Sequence, residues 1–224
     1  MRKLFTTMSI ISTTFFVTCN LSMVKADVKI ASFLGDSVTY GYTLPSQDYA
    51  YPAIFGEMTK MKINNYGVCC TTIATTRVEN FVERYEEIDP QSNLIVVAGG
   101  SNDYGFSTPM GEIGSRDIST FHGALNVLMN NLQTKYPRAT IIFMAPIKRG
   151  DFLYPNSLGY YLEAYRDAIV EEGAAHGILV LDLLSEPSLD FTNNWPVTLP
   201  DGLHPNPECQ REIAEYLYTR LYGN

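Results

Sequence analysis

Long apolar runs are scarce in this chain, and the scarcity argues against a membrane-spanning architecture. The best candidate, Leu4 to Val17, is diluted with threonines and falls short of the ~20 residues that cross a bilayer. No later segment is longer and more apolar. Basic residues are also few, with Lys+Arg 16 against Asp+Glu 24 and a formal net charge of -8. Such a surface repels phosphate backbones and anionic lipid, which argues against nucleic-acid binding and stable membrane insertion. There are only 4 cysteines and 3 histidines. Cys19 falls in the leader described below, leaving Cys69, Cys70 and Cys209, an odd set that does not suit a disulfide framework. A bridge between adjacent Cys69 and Cys70 would strain the peptide, while one from either to Cys209 stays open. No four-ligand metal spacing is visible. Internal repeats, low-complexity tracts and flexible linkers are missing as well.

What is present begins with a secretory signature. Arg2 and Lys3 form a basic end, the apolar stretch follows, and Val24-Lys25-Ala26 places small residues at both cleavage-determining positions. Residues 1–26 are therefore expected to be a signal peptide cleaved after Ala26, giving a secreted, extracellular protein. A lipoprotein signal at Cys19 is the alternative, with Thr18 a poor residue to precede it. Residues 27–224 are enough for one domain with a full core and short for two.

Along that domain, apolar runs alternate with helical patterns. Strands are expected at 28–35, 62–66, 94–98, 141–146 and 178–182. The unbroken run Leu94-Ile95-Val96-Val97-Ala98 is typical of a strand buried on both faces of a parallel sheet. Helices are expected at 51–61, 77–88, 117–135, from Asn156 or Ser157 to about Ala175, and at 208–222. Within the 77–88 helix, Val78, Phe81, Val82 and Tyr85 share the apolar face. His122 reads as an exposed helical residue, and His176 as a helix-end residue before its Gly177 cap. This alternation predicts an α/β fold: a three-layer α/β/α sandwich around a five-stranded parallel sheet, flavodoxin-like, in the order 2-1-3-4-5.

In such sheets, sites form beyond the carboxyl ends of the strands. The unusual polar residues fall there: Ser37 after the first strand, Cys69-Cys70 after the second, Asn102 after the third, and Asp201 and His204 after the fifth. A serine hydroxyl needs a base to take its proton as it attacks, and His204 is the candidate. Asp201, three residues earlier with Gly202 between, would fix the imidazole tautomer. Asn102, in Gly100-Ser101-Asn102-Asp103, offers an amide to a developing oxyanion, and Asp103 would cap a helix or order the loop.

With these residues in place, the chain resembles the SGNH (GDSL-type) hydrolase family of esterases and lipases over essentially the whole domain. Gly35-Asp36-Ser37 matches its first block, Gly100-Ser101-Asn102-Asp103 its third and Asp201-Gly202-Leu203-His204 its fifth. The resemblance implies Ser37 as nucleophile, His204 as base and Asp201 as its orienter. It also implies an oxyanion hole made by Asn102, the Ser37 N–H and a second-block N–H. That second block departs from the family's Asn-x-Gly-x-Ser-Gly: here it reads Asn65-Tyr66-Gly67-Val68-Cys69-Cys70. Cys70 stands where the donor glycine usually does. Its N–H survives, but the permitted backbone angle and the space beside the oxyanion change. A working but impaired hole, open to thiol oxidation, is the expectation.

Tyr40, Tyr42, Tyr104, Phe106 and Trp195 fall in or near loops at this edge, where rings would stack on sugars or line a small acyl pocket. An acidic, secreted enzyme with that rim suggests removal of acetyl or other short acyl groups from carbohydrate esters. A lysophospholipase, lipase or thioesterase is the alternative, and a non-catalytic glycan-binding protein a third. The mechanism requires no cofactor and no metal.

Overall fold

A computed structural model describes residues 30–223 of the chain. The signal peptide expected over residues 1–26, with its cleavage after Ala26, lies outside the described residues. Five parallel strands form one sheet: β1 (Ile30–Gly35), β2 (Lys62–Gly67), β3 (Leu94–Ala98), β4 (Thr140–Met144) and β5 (Leu179–Leu181). Their order is β2-β1-β3-β4-β5, as the sequence pattern predicts.

Both faces of the central strands are buried because successive side chains alternate sides. Leu34, Ile95, Val97 and Phe143 point into one apolar layer, closed mainly by α5 (Phe121–Lys135) and α6 (Leu162–His176). Phe33, Leu94, Val96 and Ile142 point into the other, closed by α2 (Tyr51–Thr59) and α8 (Pro207–Tyr222). The two layers flank the sheet in the expected three-layer sandwich. β2 carries the polar run Lys62-Ile63-Asn64-Asn65 and is only partly covered, as suits an edge strand.

Several local expectations give way. The helix expected at 77–88 shortens to α3 (Phe81–Arg84) and a 3₁₀ turn, because the Asn80 side chain accepts the Glu83 N–H and starts the helix there. Val78 is thereby left outside the helix and 94% exposed. The α5 helix begins at Phe121, after a turn in which Asp117 accepts the Ser119 N–H. Asn156 does not cap α6; it folds its own loop, accepting the Leu158 and Tyr160 N–H groups and donating to the Tyr165 hydroxyl. β4 ends at Met144 and β5 spans only Leu179–Leu181.

His122 is the clearest correction. It is buried, 7% exposed, because α5 packs on α6, where its Nδ1 meets Glu172 Oε1 at 2.9 Å. Glu172 also accepts the Gly114 N–H, tying the loop before α5 to the helix pair. His176 ends α6 as expected, with Gly177 at φ 65 closing the cap.

Candidate active site

β1 stops at Gly35 and turns directly into a single-turn helix, α1 (Ser37–Tyr40). Asp36 caps it by accepting the Val38 N–H at 2.9 Å, and Gly41, at φ 86, closes it. Ser37 is the first residue of that turn, so by position its N–H has no partner inside the helix. Three side chains clamp the turn. Asn65 donates to the Thr39 carbonyl, Gln210 donates to the Val38 carbonyl and accepts the Tyr51 N–H, and the Tyr51 hydroxyl bonds Thr39 Oγ1. Buried Gln210 and Tyr51 escaped the sequence reading, since nothing local marks a residue on α8 or α2 as a support for a distant serine.

The other half of the site arrives on the segment between β5 and α8, just after the single-turn helix α7 (Trp195–Thr198). Asp201 Oδ1 accepts the Leu203 and His204 N–H groups at 3.0 and 2.8 Å, and Gly202 takes φ 79 to allow this tight turn. Asp201 Oδ2 lies 2.6 Å from His204 Nδ1, and His204 Nε2 lies 2.8 Å from Ser37 Oγ. An ionised carboxylate only accepts, so Nδ1–H donates to Asp201 and Nε2 is left to accept the serine hydroxyl. Burial pushes the Asp201 carboxyl up, but hydrogen bonds from the His204 side chain and the two backbone N–H groups outweigh it and hold its pKa below the usual value. The Tyr42 ring packs edge-on against the imidazole, centroids 4.9 Å apart. Gly150 N–H donates to the Gly202 carbonyl at 2.7 Å, bracing the loop from outside. The structure thus brings Ser37, His204 and Asp201 into one hydrogen-bonded chain.

Asn102 is the second residue of α4 (Ser101–Gly105), which follows the end of β3, and is buried. Its Nδ2 donates one hydrogen to the Thr71 carbonyl at 2.9 Å, which fixes the amide and leaves the second hydrogen without a partner among the described residues. Arg149, paired bidentately with Asp151, donates to the Ser101 carbonyl and holds the start of α4. Cys70 lies one residue before Thr71, exposed, and its N–H makes no hydrogen bond among the described residues. Its φ of 64 is left-handed, a conformation that costs a residue with a side chain about 1 kcal/mol or more. Replacing Cys70 with glycine is therefore expected to raise stability by about 1 kcal/mol in urea denaturation. Cys69, Cys70 and Cys209 are all free thiols, Cys209 being buried in the α2/α8 layer, so the bridge left open by the sequence is not formed.

Asp103, fully buried, orders the loop rather than capping a helix. Its carboxyl accepts the Ile73 and Ala74 N–H groups and the Thr108 hydroxyl. Burial pushes its pKa up to about 7 against those bonds. Burial likewise pushes Asp36 up to about 6, opposed by the Val38 N–H and the nearby positive charge. A carboxyl raised on folding stabilises fully below its unfolded pKa, and that contribution fades as pH climbs to the folded value. For Asp103 the window runs from about pH 4 to 7. The Asp103→Asn variant lacks this titration, so the stability gap between wild type and variant should narrow by roughly 2–4 kcal/mol between pH 4.5 and 7.5. A gap independent of pH in urea denaturation would show that Asp103 does not titrate there.

Of the expected aromatic rim, Tyr40, Tyr42, Phe106 and Trp195 are exposed. Tyr104 is not on it: α4 turns the ring inward, and its hydroxyl donates to the Asp151 and Tyr154 carbonyls. The β4–α6 loop supplies exposed Leu153, Tyr154, Leu158, Tyr160 and Tyr161 instead. Nothing in the spacing of that loop distinguished it from ordinary surface.

The same architecture recurs elsewhere. A crystal structure of a protein from Lactobacillus plantarum matches with a TM-score of 0.81 and 31% identity, covering 88% of this chain and 97% of that one. A structure described as a possible lipase from Chitinophaga pinensis matches with a TM-score of 0.70 over 87% of this chain and 99% of that one; at 19% identity it speaks for the fold alone. No functionally curated protein matches the chain. Residues 33–211, from inside β1 through the Asp201–His204 turn into α8, match the model of the GDSL-like lipase/acylhydrolase family. The chain belongs to that family, and is a hydrolase of the lipase and esterase type.

Proposed function

We propose that this chain is a secreted serine esterase that hydrolyses carboxylic esters through Ser37, His204 and Asp201 and removes short acyl groups, acetyl above all, from carbohydrates. The observation that carries the reading is the hydrogen-bonded chain from Asp201 Oδ2 through the His204 imidazole to Ser37 Oγ, at 2.6 and 2.8 Å. In this mechanism Nε2 takes the hydroxyl proton as Oγ attacks the ester carbonyl, and the imidazolium is balanced by Asp201. The oxyanion is met by the Ser37 N–H, the Cys70 N–H and the second hydrogen of Asn102 Nδ2. His204 then gives its proton to the leaving alkoxide, and water repeats the cycle on the acyl-serine.

Support for a short acyl group comes from the space behind the site. A cavity of about 30 Å³ lies among the chain neighbours of the site residues, including Asp36, Val38, Ser101 and Leu203. That is room for one or two water-sized groups. Exposed Tyr42 and Trp195 suit sugar faces. The apolar β4–α6 loop favours the second reading, a lipid ester.

The test is hydrolysis of p-nitrophenyl esters of increasing chain length by wild type and Ser37→Ala. Loss of about 10⁴-fold or more in the variant, with acetate preferred by the wild type, is expected. A long-chain preference would favour the lipid reading. Equal inactivity of both proteins on every ester would leave a glycan-binding protein without turnover. Peroxide should inhibit the wild type more than Cys70→Gly, because the variant lacks the exposed thiol of the oxyanion loop and keeps only the half-buried Cys69 beside it.

A further inference from the structure

Beside the oxyanion loop the surface opens into a groove of about 390 Å³, lined by residues 69–71 and 76–79. That volume suits a small-molecule ligand. One end belongs to the candidate site, since Cys70 borders it and the Thr71 carbonyl holds the Asn102 amide. The other end carries Arg77, whose guanidinium lies over the Phe106 ring, 4.4 Å from its centroid. Phe106 closes α4, whose first turn holds Asn102, so the ring and the amide are carried by one short element.

Arg77 differs from the other arginines near the site. Arg84 and Arg149 are each paired with a carboxylate, whereas among the described residues none lies within ion-pair distance of Arg77. Glu79 lines the groove as well, beyond ion-pair distance of Arg77. The loop bearing Arg77 is tethered along its length. Asp103 holds the Ile73 and Ala74 N–H groups, Thr75 N–H donates to the Ile118 carbonyl, and Thr76 bonds Thr108 at 3.0 Å. In a chain of net charge -8, a guanidinium with no ion pair among the described residues thus sits over an aromatic ring at the wall of a groove that starts at the oxyanion donors.

We propose that Arg77, seated on Phe106, binds an anionic group, carboxylate or phosphate, carried by the ester that is hydrolysed. The inference rests on the esterase reading above and specifies its substrate class. The planar guanidinium offers a forked pair of donors to such a group, and the ring beneath it limits its freedom. The anion sits on either the acyl or the alcohol side of the ester, and matched substrates separate the two.

The experiment measures wild type, Arg77→Gln and Arg77→Lys on two pairs of esters. p-Nitrophenyl hemisuccinate against p-nitrophenyl butyrate places the charge on the acyl side; p-acetoxybenzoate against phenyl acetate places it on the alcohol side. In one pair the anionic-to-neutral ratio of kcat/KM should fall about fivefold in Arg77→Gln, through KM, and the difference should shrink at high salt. Arg77→Lys should keep much of the ratio. The responding pair identifies the side that bears the anion. An unchanged ratio in both pairs, with Ser37-dependent hydrolysis of the neutral esters intact, overturns this inference alone. Absence of Ser37-dependent hydrolysis of all four esters overturns the esterase reading with it.

Discussion

Replacing Asp201 with asparagine is expected to lower kcat by about 10⁴-fold while the fold survives. The two carboxylate oxygens have separate tasks. Oδ1 accepts the Leu203 and His204 N–H groups and shapes the turn, and an amide oxygen can do the same. Oδ2 faces His204 Nδ1 at 2.6 Å, and there asparagine presents an NH₂ group. Two donors cannot face each other, so the imidazole moves its proton to Nε2. That nitrogen, 2.8 Å from Ser37 Oγ, then becomes a donor and can no longer take the serine proton. The imidazolium that would form during attack also loses its counter-charge. Measured on p-nitrophenyl acetate, the variant should show the full loss in kcat with a urea midpoint close to wild type. A loss below tenfold would mean that the carboxylate does not set the tautomer.

The second large effect is structural and falls on Gly67. This residue ends β2 in register with Gly35, directly beneath α1. A Cβ added there would lie 2.2 Å from the Tyr40 nitrogen and 2.6 Å from its Cα. Both are backbone atoms of the turn that presents Ser37, so no rotamer change relieves the clash. Gly67→Ala should therefore cost at least about 3 kcal/mol, at the upper end for overpacking, and displace the serine. The expected readout is a large drop in urea midpoint together with loss of esterase activity in whatever remains folded. Gly56→Ala is a useful contrast, because the added methyl there meets a side chain, that of Ile63, before any backbone atom and lies away from the Ser37 turn.

The residues show why some of this was legible in the chain and some was not. Leu94 to Ala98 is apolar at every position, which only a strand covered on both faces tolerates, so the sheet order followed from the alternation of such runs with helices. The Asp201–His204 turn was readable because its geometry is local, three residues apart with a glycine between. His122 was not. Its burial depends on Glu172, which lies 50 positions away on α6, and no helical periodicity encodes that partner. Tyr104 was misplaced for a related reason: residues 101–105 form a helix that turns the ring into the core, where loop composition had suggested a rim. Cys70 sits between the two cases. The sequence marked it as a departure at a glycine position, and its positive φ gives the physical cost of that departure.

The proposed hydrolysis requires Ser37 to be an activated nucleophile, and covalent labelling tests that most directly. The protein would be treated with a fluorophosphonate, digested, and its peptides mapped by mass spectrometry. A single adduct on Ser37, greatly slowed in His204→Ala, is the predicted result. An adduct on another residue, or none from a preparation that hydrolyses esters, would contradict the assignment of Ser37 and His204.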